Sequence, residues 1–237
     1  MKLKIQARAK INWTLDVVGT LPNGYHDLDM LMQSVTLCDQ MTMEEAPQLT
    51  LYVRAQGRSF VPADGNNLVL KAAAALQAAT GCTRGGLQRA KGVGEKLTPL
   101  AMKKPLYLVA FQPCRGLSTK EVFTALHEDG IRDEDRPDNE AAQRALACGD
   151  VRALGAALGN VLEPVSRRMR PEIDRAICAI EENGAVGARM TGSGSAVFGV
   201  FMHAGACRRA TDRLVTAYPT CRMMRTAAHG IVIEEEA

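Results

Sequence analysis

A chain of 237 residues is long enough to bury a substantial core and fits one large domain or two small ones. Its 46% hydrophobic and 23% charged residues fit a globular protein rather than a disordered one, and 29 basic against 26 acidic residues is too even a balance to argue for a nucleic-acid partner. No apolar run approaches the roughly 20 residues that cross a bilayer.

From the N-terminus, Lys2 to Arg8 and Ile11 to Val18 alternate as strands, with Leu3, Ile5 and Ala7 set against Lys2, Lys4, Gln6 and Arg8. The opening residues lack the apolar core of a secretory leader, so a cytoplasmic location is expected. Gly19 to Gly24, with Pro22-Asn23-Gly24, predicts a turn. Leu31 to Leu37, Met41 to Glu45 and Leu49 to Arg54 are further candidate strands, closed by Asp64-Gly65. Asn67 to Ala79 has helical apolar spacing and is followed by Gly81, a stop signal.

The run Leu106 to Phe111 is strand-like, and Ser118-Thr119-Lys120-Glu121 has the capping-box spacing that opens a helix. Glu128 to Asp138 is dense in charge and is expected to be a solvated loop. Helices are predicted over Glu140 to Ala147, Val151 to Leu162 and Pro171 to Asn183, the last bounded by an early proline and by Gly184. A loop at Thr191 to Ser195, a strand at Ala196 to Phe201, a helix near Ala206 to Ala217 and a strand at Cys221 to Thr226 follow. Helices layered on an antiparallel sheet make the class α+β. Trp13 and Met190 are expected in the core, and Glu234-Glu235-Glu236 is expected to be a solvated tail.

The seven cysteines are odd in number and never spaced Cys-x-x-Cys, and His26, His127, His203 and His229 form no His-x-x-x-His pair. Reduced thiols and no structural metal site are expected. The candidate site residues lie elsewhere. Lys10 and Asn12 follow a strand, and Tyr25 and His26 sit in a turn, a cluster suited to a polar substrate. Gly192-Ser193-Gly194 is a side-chain-poor loop whose backbone N–H groups suit an anion. It precedes a strand instead of following one, so a dinucleotide-binding fingerprint does not apply.

Ala7-Arg8-Ala9-Lys10-Ile11-Asn12, Gly24-Tyr25-His26, Asn67-Leu68-Val69, Gly92-Val93-Gly94-Glu95, Leu97-Thr98-Pro99 and Arg189-Met190-Thr191-Gly192-Ser193-Gly194, in that order, resemble the GHMP kinase superfamily. The resemblance runs from Lys4 to about Thr226. It implies a two-domain architecture, with an N-terminal domain over 1–112, incomplete, and a C-terminal domain over 113–237.

It also implies ATP, with Mg2+ accompanying it, as cofactors, and a small-molecule partner without nucleic acid or membrane. The branch most alike phosphorylates the 2-hydroxyl of a cytidine-diphosphate-bearing methylerythritol in non-mevalonate isoprenoid biosynthesis. On that resemblance Lys10 is catalytic, orienting the attacking hydroxyl and offsetting developing charge. Asn12 binds the polyol, Tyr25 and His26 meet the cytosine, and Gly192, Ser193 and Gly194 bind the nucleotide.

The superfamily also carries a Pro-x-x-x-Gly-Leu-Gly-Gly-Gly-Ser-Ser loop that wraps the ATP phosphates, and a Gly-Ala-Asp-Val segment whose aspartate is the catalytic base. Here Gly85-Gly86 runs almost directly into Gln88 to Glu95, and neither element is present. An inactive relic that binds a cytidine diphosphate compound is therefore the alternative. The loss is expected to uncover apolar surface on the Leu68 to Leu76 helix and on the strand Leu106 to Phe111, and to favour self-association.

Overall fold

A computed structural model of the chain describes residues 2–44 and 86–236. The expected strand at Leu49 to Arg54, the Asp64-Gly65 turn and the helix at Asn67 to Ala79 lie outside the described residues.

The first two elements are long antiparallel strands, β1 (Lys2–Thr20) and β2 (His26–Glu44), joined by the turn expected around Pro22-Asn23-Gly24. Gly24 takes φ +82° there, a conformation that disfavours a side chain. The predicted break between Arg8 and Ile11 is a register shift within one strand, between Arg8 and Lys10, and further shifts fall at Asn12/Thr14 and Val17/Gly19. The hairpin β3 (Leu87–Gly92) and β4 (Lys96–Pro99) extends the sheet beyond β2.

The second sheet runs β7 (Gly187–Met190), β8 (Val197–Phe201), β5 (Tyr107–Phe111), β9 (Arg222–Arg225), all antiparallel. Helices α1 (Thr119–Asp129), α2 (Asn139–Cys148), α3 (Val151–Ala157), α4 (Glu163–Met169), α5 (Pro171–Glu182) and α6 (Ala204–Ala217) pack around it. Ser118 caps α1 as its spacing predicts, its hydroxyl accepting from the Glu121 N–H at 3.4 Å.

Three expectations are corrected. The helix predicted over Val151 to Leu162 stops at Ala157, and Gly159–Asn160 forms β6, a short strand parallel to β1 at Thr14 and Leu15. Its remaining residues lead into α4, so the apolar periodicity comes from Val151 and Leu154 in the helix and from Leu158 and Leu162 on either side of β6, all four buried in the core.

The acidic end is paired rather than a free tail: β10 (Ile231–Glu236) lies antiparallel to β1, with Lys2 opposite Glu236 and Lys4 opposite Glu234. That register sets basic positions against acidic ones across the strands. The charged stretch Glu128 to Asp138 is largely exposed, as expected, with Arg136 reaching Asp16 at 2.7 Å and Asp129 pairing with Arg168 at the surface.

The strand at Leu106 to Phe111 is not uncovered. Leu106 and Leu108 pack into one apolar cluster with Trp13, Leu146, Leu154 and Phe198, while Val109 and Phe111 pack into another with Ile173, Ile177, Met190 and Phe201. The second sheet is thus buried on both faces. Trp13 and Met190 are fully buried as expected, and the Trp13 ring meets Phe198 edge-on at 5.6 Å.

Candidate functional site

β1 carries Lys10 and Asn12 toward the Thr191–Ser195 loop. Asn12 is buried, and its backbone N–H donates to Thr191 Oγ1 at 2.9 Å, while that hydroxyl donates to Asn12 Oδ1 at 3.4 Å. Lys10 Nζ donates to the same Oδ1 at 3.0 Å. The Asn12 amide nitrogen faces Met30 Sδ at 3.1 Å, a weak acceptor on β2. Lys10 is exposed as a residue, yet its ammonium end sits among protein groups, and that desolvation lowers its pKa from the ordinary lysine value. Among the described residues no carboxylate forms an ion pair with Lys10.

The loop is fastened from below by β6 and α4. Asn160 Nδ2 donates to the carbonyls of Met190 at 3.0 Å and Gly192 at 2.9 Å, and Ser166 Oγ donates to the Ser193 carbonyl at 3.2 Å. Glu163 Oε2 accepts from the Met190 N–H at 2.7 Å and Oε1 accepts from Arg167 at 3.3 Å. Burial raises the Glu163 pKa, opposed by the Met190 N–H and by Arg189 and Arg167. At the start of α1, Thr119 Oγ1 lies 3.0 Å from Ser193 Oγ.

Gly192 and Gly194 take φ of +62° and +87°. A Cβ on Gly194 would stand 2.5 Å from Met190 Sδ, so the position is closed to side chains. The loop's carbonyls point into the protein, while among the described residues the N–H groups of Gly192 and Ser193 have no protein acceptor. Unpaired N–H groups beside a helix N-terminus are suited to a phosphate oxygen.

Tyr25 and His26 stand at the other end of the β1–β2 pair, His26 opposite Thr20. Tyr25 is 64% exposed. The His26 ring stacks on Phe123 of α1 at 4.0 Å and 21°, and its Nε2 lies 2.7 Å from His127 Nε2. The structure therefore joins Lys10 and Asn12 to the glycine loop and places His26 against α1, whose first turn meets that loop, while Tyr25 stays exposed in the turn beside it. Thr119, Phe123, His127, Asn160, Glu163 and Ser166 escaped the sequence reading; only Ser118-Thr119 carried a local signal, the helix cap. Among the described residues no cluster of three His, Cys, Asp or Glu side chains is arranged to hold a metal ion.

Residues 139–219 match the model of the GHMP kinases C terminal family. The 4-diphosphocytidyl-2-C-methyl-D-erythritol kinase of Pelotomaculum thermopropionicum is 31% identical over 272 aligned residues, covering 90% of this chain and 94% of that protein. The chain belongs to this kinase family, within the GHMP kinases. The kinase of the same name from Alkaliphilus metalliredigens is 26% identical over 95% of this chain and 97% of its own length.

A crystal structure of 4-(cytidine 5'-diphospho)-2C-methyl-D-erythritol kinase superposes with a TM-score of 0.71 at 25% identity, covering 94% of this chain and 99% of that one. Homoserine kinase from Cytophaga hutchinsonii shares the fold, with a TM-score of 0.63 at 13% identity over 98% of this chain and 97% of that one. The alignment with the A. metalliredigens kinase spans 284 positions, more than the 237 residues available here, so part of that kinase faces a gap in this family member. Kinases of this family are ATP-dependent small-molecule phosphotransferases.

Proposed function

We propose that this chain performs, far more slowly than its relatives, the ATP-dependent phosphorylation of the 2-hydroxyl of 4-diphosphocytidyl-2-C-methyl-D-erythritol in the cytoplasm. The observation that carries the reading is the meeting of Lys10 and Asn12 with the Thr191–Ser195 loop through the Asn12–Thr191 hydrogen bonds. It sets a cationic, polyol-facing end beside N–H groups that fit a nucleotide phosphate.

In this reading Gly192, Ser193 and Gly194 would hold the phosphates of ATP, which would supply the transferred group, with magnesium offsetting the phosphate charge. Lys10 offsets the negative charge that grows on the attacking oxygen. Asn12 keeps the ammonium aimed, since its Oδ1 accepts from Lys10. Tyr25 stacks on the cytosine and His26 hydrogen-bonds it. Division into an N-terminal part, 1–112, and a C-terminal part, 113–237, belongs to the same proposal, as does self-association.

The slow rate follows from what Lys10 lacks. Among the described residues no carboxylate is ion-paired with Lys10, and in the sequence Gly85-Gly86 runs almost directly into Gln88 to Glu95 without the family's phosphate-wrapping loop, so among the described residues no group is poised to take the hydroxyl proton. Positioning and electrostatics are the main catalytic contributions in phosphoryl transfer, so losing both cuts the rate deeply.

The same observation favours a second reading, a non-catalytic protein that binds a cytidine diphosphate compound. Calorimetry with cytidine 5'-diphosphate and with ATP tests the shared part. Binding of the cytidine compound in preference to ATP is expected, and a preference for ATP would contradict it.

A further inference from the structure

At the β1–β2 turn, two imidazoles from distant parts of the chain share one hydrogen-bond line. His26 Nε2 and His127 Nε2 are 2.7 Å apart although the residues stand 101 positions apart in sequence, and the His26 ring lies flat on Phe123, one turn earlier in α1. Beside them is a cavity of about 270 Å³ bounded by Val17 to Thr20, Leu126, Gly130, Ile131 and Arg136. We propose that His26, Phe123 and His127 form an acid-sensitive latch that fastens the β1–β2 turn to α1 at neutral pH and releases it in acid.

Two nitrogens at 2.7 Å need one proton between them, one ring donating and the other accepting. The neutral pair satisfies this with one ring in its Nε2–H tautomer. A pair holding one extra proton satisfies it too, and more strongly, because an imidazolium N–H donating to a neutral nitrogen is a charge-assisted bond. With both rings protonated, two N–H donors and two positive charges face each other. The bond is then lost and repulsion replaces it, so release follows the second proton and not the first.

The charges around the pair are of both signs. Arg136, the charged side chain lining the cavity, is itself positive and is held by Asp16 at 2.7 Å and by Asp133 at 3.8 Å. Asp129, at the end of α1, is paired with Arg168, and Asp27 and Glu128 are the chain neighbours of the two rings. Burial first, and then the His127 charge, lower the His26 pKa from the ordinary histidine value. A group whose folded pKa is depressed favours the closed form above its ordinary pKa and loses that advantage as pH falls through the folded value.

Fastening at this point has a consequence for the reading of His26 given above, on which that consequence alone rests. The His26 ring covers one face of Phe123, so a flat base stacks on that face only after His26 has left it.

Hydrogen exchange of the ligand-free chain from pH 8 to pH 5, read with imidazole NMR titration, tests the latch without reference to any substrate. The expected result is a two-step, coupled titration of His26 and His127, with amide protection of residues 20–26 and 119–129 falling at the lower step once intrinsic exchange rates are divided out. The His127→Ala variant is expected to exchange rapidly over 20–26 at every pH, and His127→Gln, which keeps a neutral partner for His26, to hold the turn closed through the lower step. Independent titrations of the two rings, or protection in His127→Ala equal to that of the parent, would overturn the latch. Failure of cytidine 5'-diphosphate to bind would instead overturn the substrate reading and leave the latch standing.

Discussion

Asn12 and Thr191, 179 positions apart in the chain, are joined by two hydrogen bonds, one from the Asn12 N–H to Thr191 Oγ1 at 2.9 Å and one from that hydroxyl to Asn12 Oδ1 at 3.4 Å. A single threonine hydroxyl thereby satisfies a buried backbone donor and orients the amide that receives Lys10. Thr191→Val keeps the shape and removes both bonds, leaving the Asn12 N–H without its acceptor. The expected loss is about 1–3 kcal/mol of unfolding free energy. Thr191→Ser is expected to restore most of it, and urea denaturation of the two variants checks the pair. A valine variant as stable as the parent would show that the bonds hold nothing.

Glu163 ties the loop to α4 through the Met190 N–H. Because burial raises its folded pKa above the unfolded value, its contribution is full below the unfolded pKa and is lost as pH rises through the folded one. Glu163→Gln keeps the acceptor without the charge, so the parent's stability is expected to fall relative to this variant as pH rises from 4 toward 8. Glu163→Ala removes the acceptor and is expected to cost about 1–3 kcal/mol at neutral pH. Denaturation curves of the three proteins across that range decide the matter, and an unchanging gap between parent and glutamine variant would be the contrary result.

The opposite sign holds at Asp29. Arg89 grips it with two bonds, at 2.9 and 2.8 Å, and reaches on to Glu140 of α2 at 2.5 Å, linking β2 and β3 to the helical layer. The Arg89 hydrogen bond lowers the Asp29 pKa, so its stabilisation is present above the unfolded pKa and is lost as pH falls through the folded one. Asp29→Asn is therefore expected to be less stable than the parent at pH 7 and to converge with it near pH 2. Thermal melts at the two pH values measure this, and a gap that persists in acid would contradict it.

Tyr25→Ala tests the base-binding end. Tyr25 is 64% exposed and touches little of the protein, so its truncation is expected to leave stability unchanged. Affinity for cytidine 5'-diphosphate is expected to drop by about 1–3 kcal/mol, the worth of one base stacked on an aromatic ring. Calorimetry reads this directly, and unchanged affinity would remove Tyr25 from the site.

Elements whose signals are local were legible in the sequence. Ser118 caps α1, and Pro171 and Gly184 bracket α5, because caps and breakers act on their own few residues. Misread elements depend on distant partners. Glu234 to Glu236 look like a solvated tail until their backbone pairs with β1, and the end of α3 at Ala157 is decided by β6 pairing with β1. At the site, Lys10, Asn12 and the glycine loop stood out through motif resemblance. Asn160, Glu163 and His127 did not, since an asparagine under a loop or a histidine beside another is ordinary until the fold brings in the carbonyl or ring it serves.

We propose that the chain keeps the cytidine-facing and loop elements of its family's site and, among the described residues, pairs no carboxylate with Lys10 to drive transfer. Substrate-dependent ADP release by the purified chain, with 4-diphosphocytidyl-2-C-methyl-D-erythritol, ATP and magnesium, tests it most directly. Release barely above the substrate-free background is predicted, alongside measurable binding of cytidine 5'-diphosphate. Turnover at the rate of the P. thermopropionicum kinase assayed side by side would contradict the account, because it would mean that this chain has a proton acceptor and a phosphate clamp that Lys10 and the Gly192–Gly194 loop do not provide.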